Sequence, residues 1–255
     1  MKRKIFLVIT IIFAGIFAVS AFMLYRTIHG YQEAKAIYSD LRVRYVTPAK
    51  PKVEQGSSGA EEPKETAPVS VDFDALLADC GDVVGWLYSE DTPIDYPVVQ
   101  SYDNDYYLRR DLSGNYLNNG TLFVDFRCAP VGKGQNYIIY GHNMKDGSMF
   151  GTLPKYKGGD YFSEHPVLYY LTPEKDYKIE LFAAMVTSSD SESYTPEFGD
   201  AEEFEAYLQR VIEKSTFTSD VAVTGEDHVI TLSTCSYEFG NARYVMLGKL
   251  TELSR

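Results

Sequence analysis

The chain has 255 residues, with 36 Asp and Glu against 24 Lys and Arg and a formal net charge of -12. So acidic a chain, with no basic stripe, repels phosphate backbones and excludes nucleic acid as a partner. Its three cysteines are an odd number, so at least one thiol stays outside any internal disulfide.

From the N-terminus, Ile5 to Leu24 is an uncharged apolar stretch of about 20 residues, the length a helix needs to cross a bilayer's hydrocarbon core. Lys2, Arg3 and Lys4 precede it, and positive charge is retained on the cytoplasmic side. The expected arrangement is a single-pass anchor over residues 5–24 in the cell membrane, with residues 1–4 cytoplasmic and the remainder extracellular. A cleaved signal peptide is the alternative, because Ala18, Ser20 and Ala21 are small residues of the kind a signal peptidase accepts.

Beyond the span, Tyr31, Ala34, Tyr38 and Leu41 recur at three- and four-residue steps and predict a juxtamembrane helix. Val46 to Ser70 is rich in Pro, Glu, Lys, Ser and Gly and poor in large apolar residues, the composition of a flexible stalk. Residues 25–70 thus read as helix and stalk, and 71–255 as one folded domain with a sizeable core.

Within that domain, Phe73, Leu76, Leu77 and Val84 suggest a helical face, with Asp72 or Ser70 as N-cap and Gly81 or Gly85 near its end. Phe204, Tyr207, Leu208, Val211 and Ile212 repeat at helical spacing over Asp200 to Lys214, and Asp200 and Glu203 form a start resembling a capping box. The remaining apolar runs are short and rich in β-branched and aromatic residues: Thr121 to Phe126, Tyr137 to Tyr140, Val167 to Leu171, Tyr177 to Ala184, His228 to Ser233 and Tyr244 to Leu250. Without regular βα alternation they predict a mainly β fold, a closed or partly closed barrel with added helices.

Cys235 ends the apolar run Val229 to Thr234, so a rigid strand presents its thiol at a barrel rim, where a nucleophile works best. A buried core cysteine is the structural alternative, and Cys80 and Cys128 are read as buried free thiols, with a disulfide between them as the alternative, though nothing in their spacing resembles a disulfide framework. Arg243 follows the connection Ser236 to Ala242 and precedes a strand, so a hairpin would set a permanently charged guanidinium beside the thiol. There it favours thiolate and donates to an oxyanion; an ordinary surface arginine is the alternative. His142 exits the strand Tyr137 to Tyr140 and titrates near working pH, as a proton donor to a leaving amine must; a histidine bonded within its own turn is the alternative. His29, His165 and His228 lie in less suitable places.

The segments YGHNMKDGSMFGTL (Tyr140 to Leu153) and TLSTC (Thr231 to Cys235), followed by Arg243 in NARYVMLGKL, resemble the sortase family, specifically its class B. The similarity extends over Asp82 to Asp111 and Gly120 to Arg127, and so over most of the chain after Val71. The resemblance implies an eight-stranded barrel with N-terminal helices and one long helix before the penultimate strand. It also implies a cysteine transpeptidase. Cys235 would cleave the C-terminal sorting motif of a surface protein after Thr and hold the product as a thioester. An amine of a lipid-linked cell-wall peptide precursor would then resolve it. His142 would move the protons, and Arg243 with the Ser236 backbone N–H would steady the oxyanion. Ser233, Thr234, Ser236, Asn104, Leu108 and Tyr194 would line the substrate groove.

No metal-ligand cluster or glycine-rich phosphate loop appears, so neither metal nor cofactor is expected, and Asp190, Glu192 and Glu197 read as solvated surface. The competing readings are a class B-like pilin polymerase that takes a pilin lysine as acceptor, a hydrolytic thiol protease, and an inactive domain that only recruits surface proteins.

Overall fold

A computed structural model of the chain describes residues 2–49 and 65–254. Helix α1 (Lys2–Tyr45) runs without interruption, so the expected juxtamembrane helix is the continuation of the apolar one. Strand β1 (Val46–Pro48) follows it directly and pairs antiparallel with β2 (Val69–Val71). The two ends of the expected stalk therefore form a ribbon, and residues 50–64 of that stalk lie outside the described residues. Tyr45, Val46, Ala67 and Val69 are buried with Leu76, Trp86 and Leu253, which draws the ribbon into the folded unit.

The next helix, α2 (Phe73–Asp79), is shorter than the apolar spacing suggested. Asp72 caps it by accepting from Ala75 N at 3.1 Å, and Cys80 ends it. Val84 belongs instead to β3 (Val83–Tyr88), which pairs with β4 (Asp95–Gln100). Neither strand shows the alternation that reveals a half-buried one, for physical reasons. Gly85 lies in β3 because a side chain there would meet the Tyr170 ring at 2.4 Å, and glycine weakens a strand signal. Pro97 lies within β4, just before its pairing with the next strand begins at Val98, and a proline argues against a central strand.

The chain continues through a 3₁₀ turn (Tyr106–Arg109), β5 (Leu122–Val124), β6 (Asn136–Tyr140), a second 3₁₀ turn (Leu153–Lys157) and α3 (Gly159–Glu164). Then come β7 (Val167–Leu171), β8 (Asp176–Ser188), α4 (Ala201–Glu213), β9 (Val229–Cys235) and β10 (Ala242–Leu253). Eight strands close in the order β10-β8-β7-β3-β4-β5-β6-β9, with β9 returning to β10. The pairs β4/β5 and β6/β9 are parallel and the others antiparallel. The expected mainly β barrel is the fold, with α4 as the helix before the penultimate strand.

Trp86, Tyr170, Tyr244, Ile138 and Leu122 are fully buried, and each such side chain stabilises the fold by roughly 1.5–3 kcal/mol through lost apolar exposure. Helix α4 packs Phe204, Tyr207, Leu208 and Val211 on Phe182, Val245 and Leu247, while Asp200 Oδ1 accepts from Glu203 N at 2.8 Å as its N-cap. Ile212, expected on the same face, is 37 % exposed. Helix α1 is fixed to the barrel by Tyr38, whose hydroxyl donates to the Gly120 carbonyl, and by an ion pair of Arg42 with Asp95. Trp86 Nε1 donates to that carboxylate at 2.7 Å. Cys80 and Cys128 are buried free thiols, and burial pushes the Cys128 thiol up to about 11.

Candidate active site

Three strand ends meet on one rim of the barrel. Parallel β6 and β9 align Tyr140 with Ser233, so the residues that follow, His142 on one chain and Thr234–Cys235 on the other, emerge side by side. Antiparallel β10 begins on the same rim, and Arg243 is the register partner of Cys235. Partners in an antiparallel pair point to the same face, with Cβ atoms about 5 Å apart. Cys235, His142 and Arg243 all line one groove of about 280 Å³.

The rim is held in detail. Gly141 N donates to Ser233 O at 3.1 Å, and Thr234 Oγ1 donates to Gly141 O at 2.8 Å. Glycine is required at 141, since a Cβ there would lie 2.5 Å from Leu122 and 2.6 Å from Phe150. His142 Nε2 lies 2.8 Å from the Leu108 carbonyl. Burial lowers the His142 pKa from its ordinary value, the Leu108 contact opposes that, and the Arg109 charge adds to the lowering. A neutral imidazole donates Nε2–H to the carbonyl and keeps Nδ1 free as an acceptor. Arg243 Nη1 donates to Ala242 O at 3.0 Å, and among the described residues no carboxylate forms an ion pair with it. The guanidinium thus keeps donors for a ligand.

Of the residues expected to bind substrate, Asn104, Leu108, Tyr194, Ser233 and Thr234 line this groove together with Phe123, Tyr140 and Ser189. Tyr194 and Ser233 share a hydroxyl–hydroxyl bond of 2.8 Å. Ser236 lies beside the groove. Its N–H donates to Ala242 O at 2.9 Å, and its hydroxyl is held between Lys157 Nζ, at 3.1 Å, and Glu238. The Lys157 bond, followed by the Ser236 bond, holds the Glu238 carboxyl at about 2. The acidic loop divides: Glu192 pairs with Arg210 at 2.8 Å and Glu197 approaches Gln135 N at 3.4 Å.

Two features escaped the sequence reading. Asn143 Nδ2 donates to the Cys235 carbonyl at 2.8 Å, a tie between the histidine loop and the cysteine strand whose signal was only its place beside His142. Asp125, fully buried, accepts from Tyr140 at 2.8 Å, Asn104 at 3.1 Å, and Arg127 at 2.9 and 2.8 Å. Arg127 in turn donates to the Tyr194 carbonyl at 2.9 Å. One carboxylate therefore organises three groove-lining residues. Burial acts to raise its pKa, but bonds from Arg127 and Tyr140 and the Arg127 charge outweigh this and hold it below the ordinary carboxylate value. A lone Asp closing an apolar strand was the available sign.

A Sortase domain family model matches residues 88–251. Sortase B of Listeria monocytogenes is 45 % identical over 171 residues, 66 % of this chain and 70 % of that protein. Sortase B of Staphylococcus aureus is 30 % identical over 184 residues, 71 % of this chain and 75 % of that protein. Among solved structures, sortase B of Bacillus anthracis in complex with AAEK1 superposes with a TM-score of 0.73 at 34 % identity, covering 88 % of this chain and 99 % of that one. The chain belongs to the sortase family. Within it, its relatives and its barrel are those of class B, and its enzymatic class is cysteine transpeptidase.

Proposed function

We propose that the protein cleaves the C-terminal sorting motif of secreted surface proteins after Thr and transfers them to an amine of a lipid-linked cell-wall precursor. The observation that carries this reading is the convergence of Cys235, His142 and Arg243 on one groove. Cys235 gives its thiol proton to His142 Nδ1, the resulting thiolate attacks the Thr carbonyl carbon, and the displaced electron pair becomes an oxyanion that Arg243 stabilises. Ser236 N–H is a second donor once its bond to Ala242 opens. The intermediate collapses, the C–N bond breaks, and His142 gives its proton to the leaving amine. The thioester is then attacked by the acceptor amine, which loses a proton to His142 as the thiolate leaves. Asn104, Leu108, Tyr194, Ser233 and Thr234 form the walls that hold the motif.

A similar solved structure, 30 % identical with a TM-score of 0.68, is sortase B complexed with triglycine, and another is a Staphylococcus aureus sortase B–substrate complex. Triglycine carries a free amine, which favours an amine acceptor over water. Helix α1 includes a stretch long and apolar enough to cross a membrane. In this proposal it anchors the enzyme with its N-terminus cytoplasmic and the barrel extracellular, where exported cargo and the precursor meet.

The test is a library of sorting-motif peptides offered to the enzyme with triglycine, with a lysine side-chain amine, or with neither. Peptide–triglycine product formed faster than hydrolysis supports the proposal. Product with the lysine acceptor alone would point to pilin polymerisation, and cleavage indifferent to amines would point to a protease.

A further inference from the structure

Between the 3₁₀ turn and β5 the chain makes a small hairpin that leans against α1. Arg110 and Tyr116 are bridge partners, and Asp111 Oδ1 accepts from Ser113 N and Asn115 N at 3.0 and 2.8 Å. Gly114 takes φ +79° at the tip. Arg109 Nη1 ties the base of the hairpin to Asn118 through its carbonyl and its Oδ1. The structure gives this loop a firm shape, yet its leading side chain, Tyr116, is 75 % exposed.

What Tyr116 faces is set by α1. Tyr116 and Asn118 border a cleft of about 650 Å³ whose other wall includes Met23, Tyr25, Arg26 and His29. The apolar stretch ends at Leu24, and a helix rises 1.5 Å per residue, so Tyr25 to His29 occupy the next ~7.5 Å. The headgroup layer has that thickness, since a bilayer's apolar core is about 30 Å of a total of about 40–45 Å. The hairpin therefore lies beside the segment of α1 that passes through the headgroups. Its chemistry suits that layer. Tyrosine rings are enriched at membrane interfaces, and Arg26, Arg109 and Arg110 are cations without a carboxylate partner among the described residues. Of the nearby acids, Asp111 is buried in its turn, and Glu33, which borders the same cleft, stands one helical turn further from the bilayer than His29 and leaves three cations against one acid.

We infer that the hairpin Arg109–Asn118, led by Tyr116, docks into the phospholipid headgroup layer beside α1 and seats the barrel on the bilayer at a second point. The inference rests on the reading of α1 as the membrane anchor. Its consequence for the reaction follows from continuity of the chain. Leu108, the residue before the hairpin, carries the carbonyl that His142 Nε2 meets, and Leu108 and Asn104 line the groove. Docking fixes the groove's height and orientation relative to a lipid-linked acceptor.

The full chain, one copy per lipid nanodisc of phosphatidylcholine and phosphatidylglycerol, provides the test. Tryptophan is introduced singly as Tyr116→Trp, Phe13→Trp and Gln209→Trp, with the buried native Trp86 as common background. Lipids brominated high or deep on the acyl chain are the quenchers. The expected result is loss and blue shift of the Tyr116→Trp emission with shallow bromine, loss of the Phe13→Trp emission with deep bromine, and no loss for Gln209→Trp on the exposed face of α4. A Tyr116→Trp signal as water-exposed as Gln209→Trp, with Phe13→Trp still quenched, overturns the docking and leaves the anchor standing. Quenching of neither Phe13→Trp nor Tyr116→Trp overturns both. An unchanged thermal midpoint in each variant verifies the fold.

Discussion

Cys235 and Arg243 are direct partners across adjacent antiparallel strands. Between β9 and β10, Ser236 to Asn241 make the hairpin turn, with Asn241 in the left-handed region at φ 61° and Ala242 N, at the start of β10, donating to Phe239 O at 3.2 Å. The thiol and the guanidinium are thus set by β-ladder register, a more rigid device than a loop. Arg243→Lys keeps the charge but loses the planar fork that can hold both the groove and an oxyanion. We expect kcat to fall by about 10²–10³, the range for loss of an oxyanion donor, in steady-state peptide cleavage, with Arg243→Ala at least as impaired and the thermal midpoint nearly unchanged.

His142 is half-buried, and its pKa is lowered chiefly by that burial. An unfolded chain takes up the proton near the ordinary value of about 6.5 while the folded one resists it, so the unfolded state binds more protons over the interval between. The contribution of this group to stability is complete above the unfolded value and is lost as pH falls through the folded one. Denaturant titrations across that interval should show a shallower acid-side decline in His142→Gln than in the parent, and ring-proton NMR should place the folded midpoint below that of a free histidine.

Gly141 is the hinge between the β6 ladder and the His142 imidazole. Gly141→Ala drives a methyl against Leu122 and Phe150, a form of overpacking that costs roughly 1–3 kcal/mol. The expected outcome is a lowered thermal midpoint together with a larger fractional loss of kcat, because the strain is relieved by displacing His142. Activity intact at a lowered midpoint would place the relief on the Phe150 side instead.

Asp125 positions the groove without touching a reacting atom. Asp125→Asn keeps the shape but removes the charge that holds Arg127, and with it the anchor of the Tyr194 carbonyl. We expect KM for the sorting peptide to rise more than kcat falls. The lowered pKa means that Asp125 stabilises the fold above its unfolded value of about 3.9 and that this is lost as pH falls through the folded value. The variant should therefore also lose part of the parent's acid-side decline in stability.

The barrel was legible where short runs rich in β-branched and aromatic residues are bounded by turn residues, as in β5 through β10, and α4 was legible from its spacing and its Asp200 cap. Strands β3 and β4 were not, because Gly85 and Pro97 break the pattern for reasons supplied by Tyr170 and by the limits of β5 pairing, both distant in sequence. Cys235, Arg243 and His142 were legible as chemically capable residue types at strand ends, but their meeting on one rim depends on the parallel pairing of β6 with β9, which no local signal encodes. Asp125 and Asn143 were missed because their roles depend on partners distant in sequence, Tyr140 and Asn104 at 15 and 21 residues from Asp125 and Cys235 at 92 residues from Asn143.

The central claim is that Cys235 carries the acyl group. Enzyme mixed with a sorting-motif peptide, quenched in acid and measured by intact mass and peptide mapping, should gain the mass of the peptide through its Thr, on Cys235, and lose it when triglycine is added before the quench. An adduct on another residue, or cleavage undiminished in Cys235→Ala, would contradict the account.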